Sequence, residues 1–159
     1  MKLLHISEEE NIVKFIPRVP NRDDLDKSKG LVWALSERWL PNFLTPRYCP
    51  RVACHATEQT TQEDVHEFFS SASQYCVAIE YGWYKKMLET SLYVYEFNSS
   101  NFYLQDKCAG YYVSTQTEKP ISKIKIDNLF EELFLCNVEV RIINNLWSLC
   151  RMRNAKPCE

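Results

Sequence analysis

Short runs with a period of two dominate the chain, and such a run commits its side chains to the two opposite faces of a sheet. The firmest are "SLYVYEF" at 91–97 and "VEVRII" at 138–143. Strands of the same kind are predicted over residues 2–6, 12–16, 31–35, 52–56, 76–80, 110–114 and 121–126. "ISKIKI" starts just after Pro120, where a missing N–H does least harm. Its Lys123 and Lys125 fall on one face, and Ile124 and Ile126 on the other.

Helical patterns are fewer. "TTQEDVHEFFSSA" opens with Thr60 and Glu63 at capping-box spacing. Val65, Phe68, Phe69 and Ala72 then make one stripe to be buried, with Glu63, Asp64 and Glu67 outside. "DNLFEELFLCN" offers Asp127 as N-cap, with Leu129, Leu133 and Cys136 on one face and Phe130 and Phe134 beside them. "GWYKKMLET" and "NLWSLC" are shorter helical patterns. Strands mixed with a few helices, without strict βαβ alternation, predict an α+β fold with a bent, mainly antiparallel sheet.

With 159 residues, a single domain over 1–159 is expected to bury about 70% of its unfolded surface. The "RMRNAKPCE" end is expected to fray. "PRVPNRDDLDKSKG" and "LPNFLTPRYCPR" are proline-broken loops. A net charge of -2 gives no strong nucleic-acid signal. With only three glycines, the chain has neither GxGxxG nor GxxxxGK[ST]. The first apolar run stops at His5 and meets Glu8, Glu9 and Glu10, so no signal peptide is read there. No run is long enough for a membrane span, and a cytoplasmic location is expected. The seven cysteines are odd in number and scattered, which predicts reduced, mostly buried thiols. Cys49, Cys54 and His55 lack zinc spacing, and no metal is expected.

His5 and Ser7 share a face of the first strand, and a lone histidine there is most often a hydrogen-bonded edge residue. Its surroundings add to this. "LLHIS", "I..F.PR" and "GLVWALSERWLPNFL" resemble the opening of the ADP-ribosyltransferase-like superfamily, with its L-Y-H-G-[ST] strand, I..F.P turn and V-Y-A-T strand. Leu4, His5 and Ser7 match the first element, Ile12, Phe15 and Pro17 the second, and Val32, Trp33 and Ala34 the third. "YVYEF" and "YYVSTQTEKPISKIKI" resemble later strands of that group. The whole chain also resembles an uncharacterised family of bacterial cytoplasmic proteins of about this length.

The superfamily resemblance implies an ADP-ribosyltransferase-like fold, a first-strand histidine that bonds ribose hydroxyls of NAD, an aromatic residue packed on nicotinamide, and a later-strand Glu. That Glu would stabilise the oxocarbenium-like transition state. The sequence departs from the pattern at this point, where "AGYYVS" puts Gly110 or Tyr111, and a phenol ionises near pH 10. Glu80, Glu96 and Glu118 are nearby in sequence, each with a plainer reading as a strand-end or loop charge.

Arg18, Arg22, Arg47 and Arg51 sit in the two irregular loops, where arginine forks suit phosphate, or else pair with Asp23, Asp24 and Asp26. The ligand site expected is His5, Ser7, Arg18, Trp33, Arg47 and Tyr111. Its ligand would be NAD, another nucleotide or a phosphorylated small molecule. The expected function is nucleotide or phosphate-ligand binding on an ADP-ribosyltransferase-like scaffold, a degenerate transferase lacking the usual Glu being one form of it. The alternatives are a protein-interaction module and an active NAD-dependent transferase with a relocated acid.

Overall fold

The computed structural model describes residues 1–147 and 149, apart from Arg22, Asp24, Ser71, Ala72 and Cys108. In chain order its strands and α-helices are β1 (Leu3–Ser7), β2 (Val32–Ser36), β3 (Arg51–His55), α1 (Gln62–Phe68), β4 (Tyr75–Glu80), α2 (Tyr84–Glu89), β5 (Leu92–Phe97), β6 (Tyr103–Asp106), β7 (Tyr111–Ser114), β8 (Ser122–Ile126), α3 (Leu129–Leu135) and β9 (Glu139–Ile143). The fold is α+β. The sequence reading expects one domain, and the chain divides into two compact units, Met1–Leu40 with Leu92–Ile126 and Pro41–Ser91 with Asp127–Glu159.

The first unit is a six-stranded antiparallel sheet in the order β6-β7-β2-β1-β5-β8. Its register decides which side chains meet. Leu3 lies opposite Phe97, His5 opposite Tyr95 and Ser7 opposite Tyr93, so these six share one face. Leu4 lies opposite Leu35, which sends Trp33 and Leu35 to the other face and leaves Val32 and Ala34 with Leu3. Leu3, Val32, Ala34 and Phe97 form a closed cluster, with Phe15, Phe102 and Tyr112 packed on it. On β8, Lys123 and Lys125 face with Tyr95 and Tyr93, and Ile124 and Ile126 with Val94 and Leu92.

In the second unit β4 is central, antiparallel to β3 and parallel to β9. A strand covered on both faces needs a continuous apolar run, and Cys76, Val77, Ala78 and Ile79 are all at most 1% exposed. Val52, Ala78 and Leu146 form a cluster there, with Ile143 and Leu149 against it.

Several expectations are corrected. Residues 12–16 form no strand. Phe15 makes one isolated bridge to Glu118, while Val13 and Ile16 face solvent, because the segment crosses the sheet face instead of pairing along an edge. Strand β6, "YLQD", was not anticipated, since its first three residues are exposed and show no inward stripe. Thr61, not Thr60, caps α1 by accepting from the Asp64 N–H at 3.1 Å, while Thr60 closes a turn with Thr57. Of the α1 stripe, Val65 and Phe68 are half-buried and only Phe69, just past the helix, is buried; Ala72 lies outside the described residues. Asn128 caps α3, because Asp127 accepts from the Ser91 hydroxyl at 2.7 Å. Leu129 and Leu133 are buried as expected, but Phe134 is 62% exposed. The "GWYKKMLET" pattern forms a 3-10 turn, Tyr81–Trp83, followed by α2. The "LPNFLTPRYCPR" loop begins inside a 3-10 stretch, Glu37–Phe43, that runs through Pro41. Part of "NLWSLC" and all of "RMRNAKPCE" lie outside the described residues.

Candidate functional site

The segment after β1 folds back over the face that carries His5. Ser7 begins the turn, its hydroxyl accepting from the Glu9 N–H at 3.0 Å. The buried Tyr95 then holds the segment down, its hydroxyl shared between the Glu9 and Glu10 carbonyls at 2.6 Å each and accepting from the Ile12 N–H at 3.3 Å. Lys123 adds a bond to the Glu10 carbonyl at 2.9 Å. Further along, Phe15 exchanges both backbone bonds with Glu118 at 2.8 and 3.0 Å, and Arg18 exchanges both with Leu31 at 3.1 and 2.9 Å. Between these two stitches the Phe15 ring packs edge-on against His5, Tyr95 and Phe97, at 4.7, 5.3 and 4.9 Å between centroids.

His5 is held in one tautomer. Its Nδ1 lies 2.9 Å from the Trp33 carbonyl, which can only accept, so Nδ1 carries the hydrogen and Nε2 keeps the lone pair. Burial lowers the imidazole below its ordinary value of 6.5, the Trp33 carbonyl opposes this, and the nearby Arg18 charge lowers it further. No side-chain nitrogen or oxygen among the described residues is sealed from solvent without a partner. Nε2 has no hydrogen bond here, so it reaches solvent as an open acceptor.

The structure divides the six residues expected at the site. His5, Ser7 and Arg18 lie together around the Phe15 segment. Trp33 meets His5 only through its backbone, and its ring packs against Tyr111 at 5.4 Å on the opposite face. Arg47 belongs to the second unit, where its guanidinium sits 5.1 Å over the Tyr48 ring. Arg51, also in the second unit, donates to the Asn42 and Cys49 carbonyls and serves structure. Arg22 lies outside the described residues.

Of Glu80, Glu96 and Glu118, which the sequence presents alike as strand-end or loop charges, only Glu118 is buried. Glu118 is only 7% exposed and accepts from the Ser114 hydroxyl at 2.5 Å. Glu96 takes the Ser122 hydroxyl at 2.9 Å and lies opposite Leu4, on the other face from His5. Glu80, in the second unit, accepts from the Leu146 N–H at 3.2 Å. Nothing in "TQTEKP" marks Glu118 as buried, because its burial depends on the distant Phe15 bridge.

Beside these stitches is an open depression of about 460 Å³ lined by Pro17, Lys29, Gly30 and Thr115. Gly30 is required there, since a Cβ would stand 2.9 Å from the Pro17 backbone. Of these lining residues, Lys29 alone carries a charge, and Arg18 and Ser114 are chain neighbours of Pro17 and Thr115. The family model that describes this arrangement's sequence matches residues 4–155.

The chain belongs to DUF6886. This is a family of unknown function, and the match takes in β1 with His5, the stitched loop and Glu118. No curated protein and no solved structure matches the DUF6886 chain.

Proposed function

We propose that this chain binds a nucleotide or another phosphorylated small molecule on its first unit, on a scaffold resembling the ADP-ribosyltransferase-like fold. The observation that carries the reading is the double stitching of the Phe15–Arg18 segment. It holds the Arg18 charge near a neutral, open-sided His5, beside a depression whose rim includes Lys29. A phosphate suits the guanidinium and the ammonium. His5 Nε2 would accept from a hydroxyl or ring N–H of the same ligand. The reading is one of binding, because Tyr111 stands where the resemblance implies a Glu, and its side chain lies on the far face from His5.

The test is a thermal-shift series with NAD, ADP-ribose, AMP and ribose 5-phosphate. A ligand at a hundred times its Kd stabilises by about 2.7 kcal/mol. At least one should raise the midpoint, and Arg18→Ala should remove the shift while leaving the unliganded midpoint nearly unchanged. No shift with any of the four, or a shift indifferent to both Arg18→Ala and His5→Asn, rejects the site.

A further inference from the structure

Two cysteines of the second unit stand directly opposite each other on neighbouring strands. The antiparallel register of β3 and β4 sets Cys54 against Cys76. Two residues further along that register, the Ala56 N–H bonds the Gln74 carbonyl at 2.8 Å. Hydrogen-bonded pairs recur at every second position of an antiparallel ladder, so Cys54 and Cys76 form one as well. Their Cα atoms are then about 5.5 Å apart, inside the roughly 4.4–6.8 Å that a disulfide spans. Their side chains share a face, and the Cys76 thiol donates a hydrogen bond to Cys54.

The two thiols differ in access and in surroundings. Cys54 is half-buried, whereas Cys76 is 1% exposed. Strand β9 places Glu139 beside Cys76 on the same face, with Arg141 two residues on. Arg141 is paired to Glu139 at 2.6 Å and donates to the Phe68 carbonyl, and its charge acts on both sulfurs. A nearby cation and a donated hydrogen bond each favour a thiolate, and Cys54 receives both. We propose that Cys54 and Cys76 are a redox-active dithiol oxidised by peroxide, with Cys54 the attacking thiol and Cys76 the resolving one. The Cys54 thiolate attacks one peroxide oxygen, the O–O bond breaks, and Cys54 becomes a sulfenic acid. The hydroxide released takes up the proton that Cys54 had lost. The Cys76 sulfur then attacks the Cys54 sulfur and the S–O bond breaks, the departing hydroxyl leaving as water with the Cys76 proton. Two thiols and one hydrogen peroxide thus give one disulfide and two waters, a two-electron oxidation. A hydrogen-bonded pair holds its side chains farther apart than the alternate kind, which strains the bridge and keeps it reducible. The site does not depend on the phosphate-ligand reading of the first unit.

The test is to treat the reduced full chain, still folded, with a slight excess of hydrogen peroxide and map its peptides by non-reducing mass spectrometry. One bridged species joining Cys54 to Cys76 is expected, reopened by dithiothreitol. In Cys76→Ala the sulfenic acid has no resolving thiol, so dimedone should label Cys54 several-fold more than in the unsubstituted protein. In Cys54→Ser, Cys76 should remain a thiol through the same treatment. If Cys76→Ala does not fold, the bridge map of the unsubstituted protein decides the matter. A Cys54 that stays a thiol under peroxide, or that bridges to any other cysteine, overturns the proposal. So does equal dimedone labelling with and without Cys76, or loss of the Cys76 thiol in Cys54→Ser.

Discussion

His5 and Trp33 are joined through the backbone and separated by the sheet: the imidazole bonds the Trp33 carbonyl at 2.9 Å, while the indole packs on Tyr111 on the far face. Replacing the indole should therefore leave the His5 tautomer intact. In Trp33→Phe, the imidazole nitrogen shifts of His5 should stay as they are, and the phosphate-ligand shift should persist. Loss of the His5 signature in this variant would show that the ring, and not the carbonyl, sets the histidine.

The lowered pKa of His5 has a consequence for stability. Below 6.5 the unfolded chain binds a proton that the native imidazole resists, so stability falls as pH drops from 6.5 through the folded-state value. The loss is complete only below that value. His5→Gln should flatten the midpoint-against-pH curve between pH 7.5 and 5.5 relative to the unsubstituted protein. Parallel curves would mean that His5 is not the buried neutral group described.

The aromatic pair at the end of α1 separates in the structure, with Phe69 buried and Phe68 half-buried. Phe69→Ala should cost about 3–5 kcal/mol in denaturant unfolding. Phe68→Ala should cost clearly less. The reverse order would place the stripe of α1 one residue out of register.

Gly110 has φ +66°, and a Cβ there would stand 1.9 Å from the Trp39 indole. Gly110→Ala combines a left-handed backbone with overpacking, and a loss of at least ~2 kcal/mol is expected. An unchanged chemical denaturation midpoint would show that Trp39 can swing away without cost.

Burial pushes the Cys49 thiol up to about 11, and a hydrogen bond that the Cys76 thiol donates to Cys54, together with burial, raises Cys76 as well. Thiolate is the reactive form. Both should stay unmodified by iodoacetamide at pH 7.5 in the native protein and react once it is unfolded, as read by peptide mass spectrometry. Rapid native labelling of Cys76 would mean that the β3–β4 pair opens readily.

What the sequence made legible were features that repeat over several residues. The alternation in "LYVYEF" marks β5, and that in "SKIKI" separates Lys123 and Lys125 from Ile124 and Ile126, as the pairing with β5 shows. The site was only half legible. Alternation puts His5 with Ser7 and sets Trp33 apart from Ala34, but whether the indole meets the imidazole depends on Leu4 lying opposite Leu35, a pairing between distant segments. Residues 12–16 mislead for a related reason. Their β-branched side chains suit a strand, but no neighbour offers them a ladder, and only Ile12 and Phe15 are half-buried. Glu118 reads as a loop charge until the chain that buries it is in place.

Strand β1 is inside its sheet, between β2 and β5, yet β5 follows it only much later in the chain. Leu3 and His5 meet Phe97 and Tyr95 only after the whole Pro41–Ser91 segment has intervened. At about 5–20 residues per second of synthesis, β1 waits on the order of ten seconds for the partner that closes its second edge. Until then its unpaired edge and the apolar pair Leu3 and Leu4 are exposed to other nascent strands. The three glutamates directly behind Ser7 put like charges beside that waiting edge, so two emerging copies repel each other where they would otherwise pair.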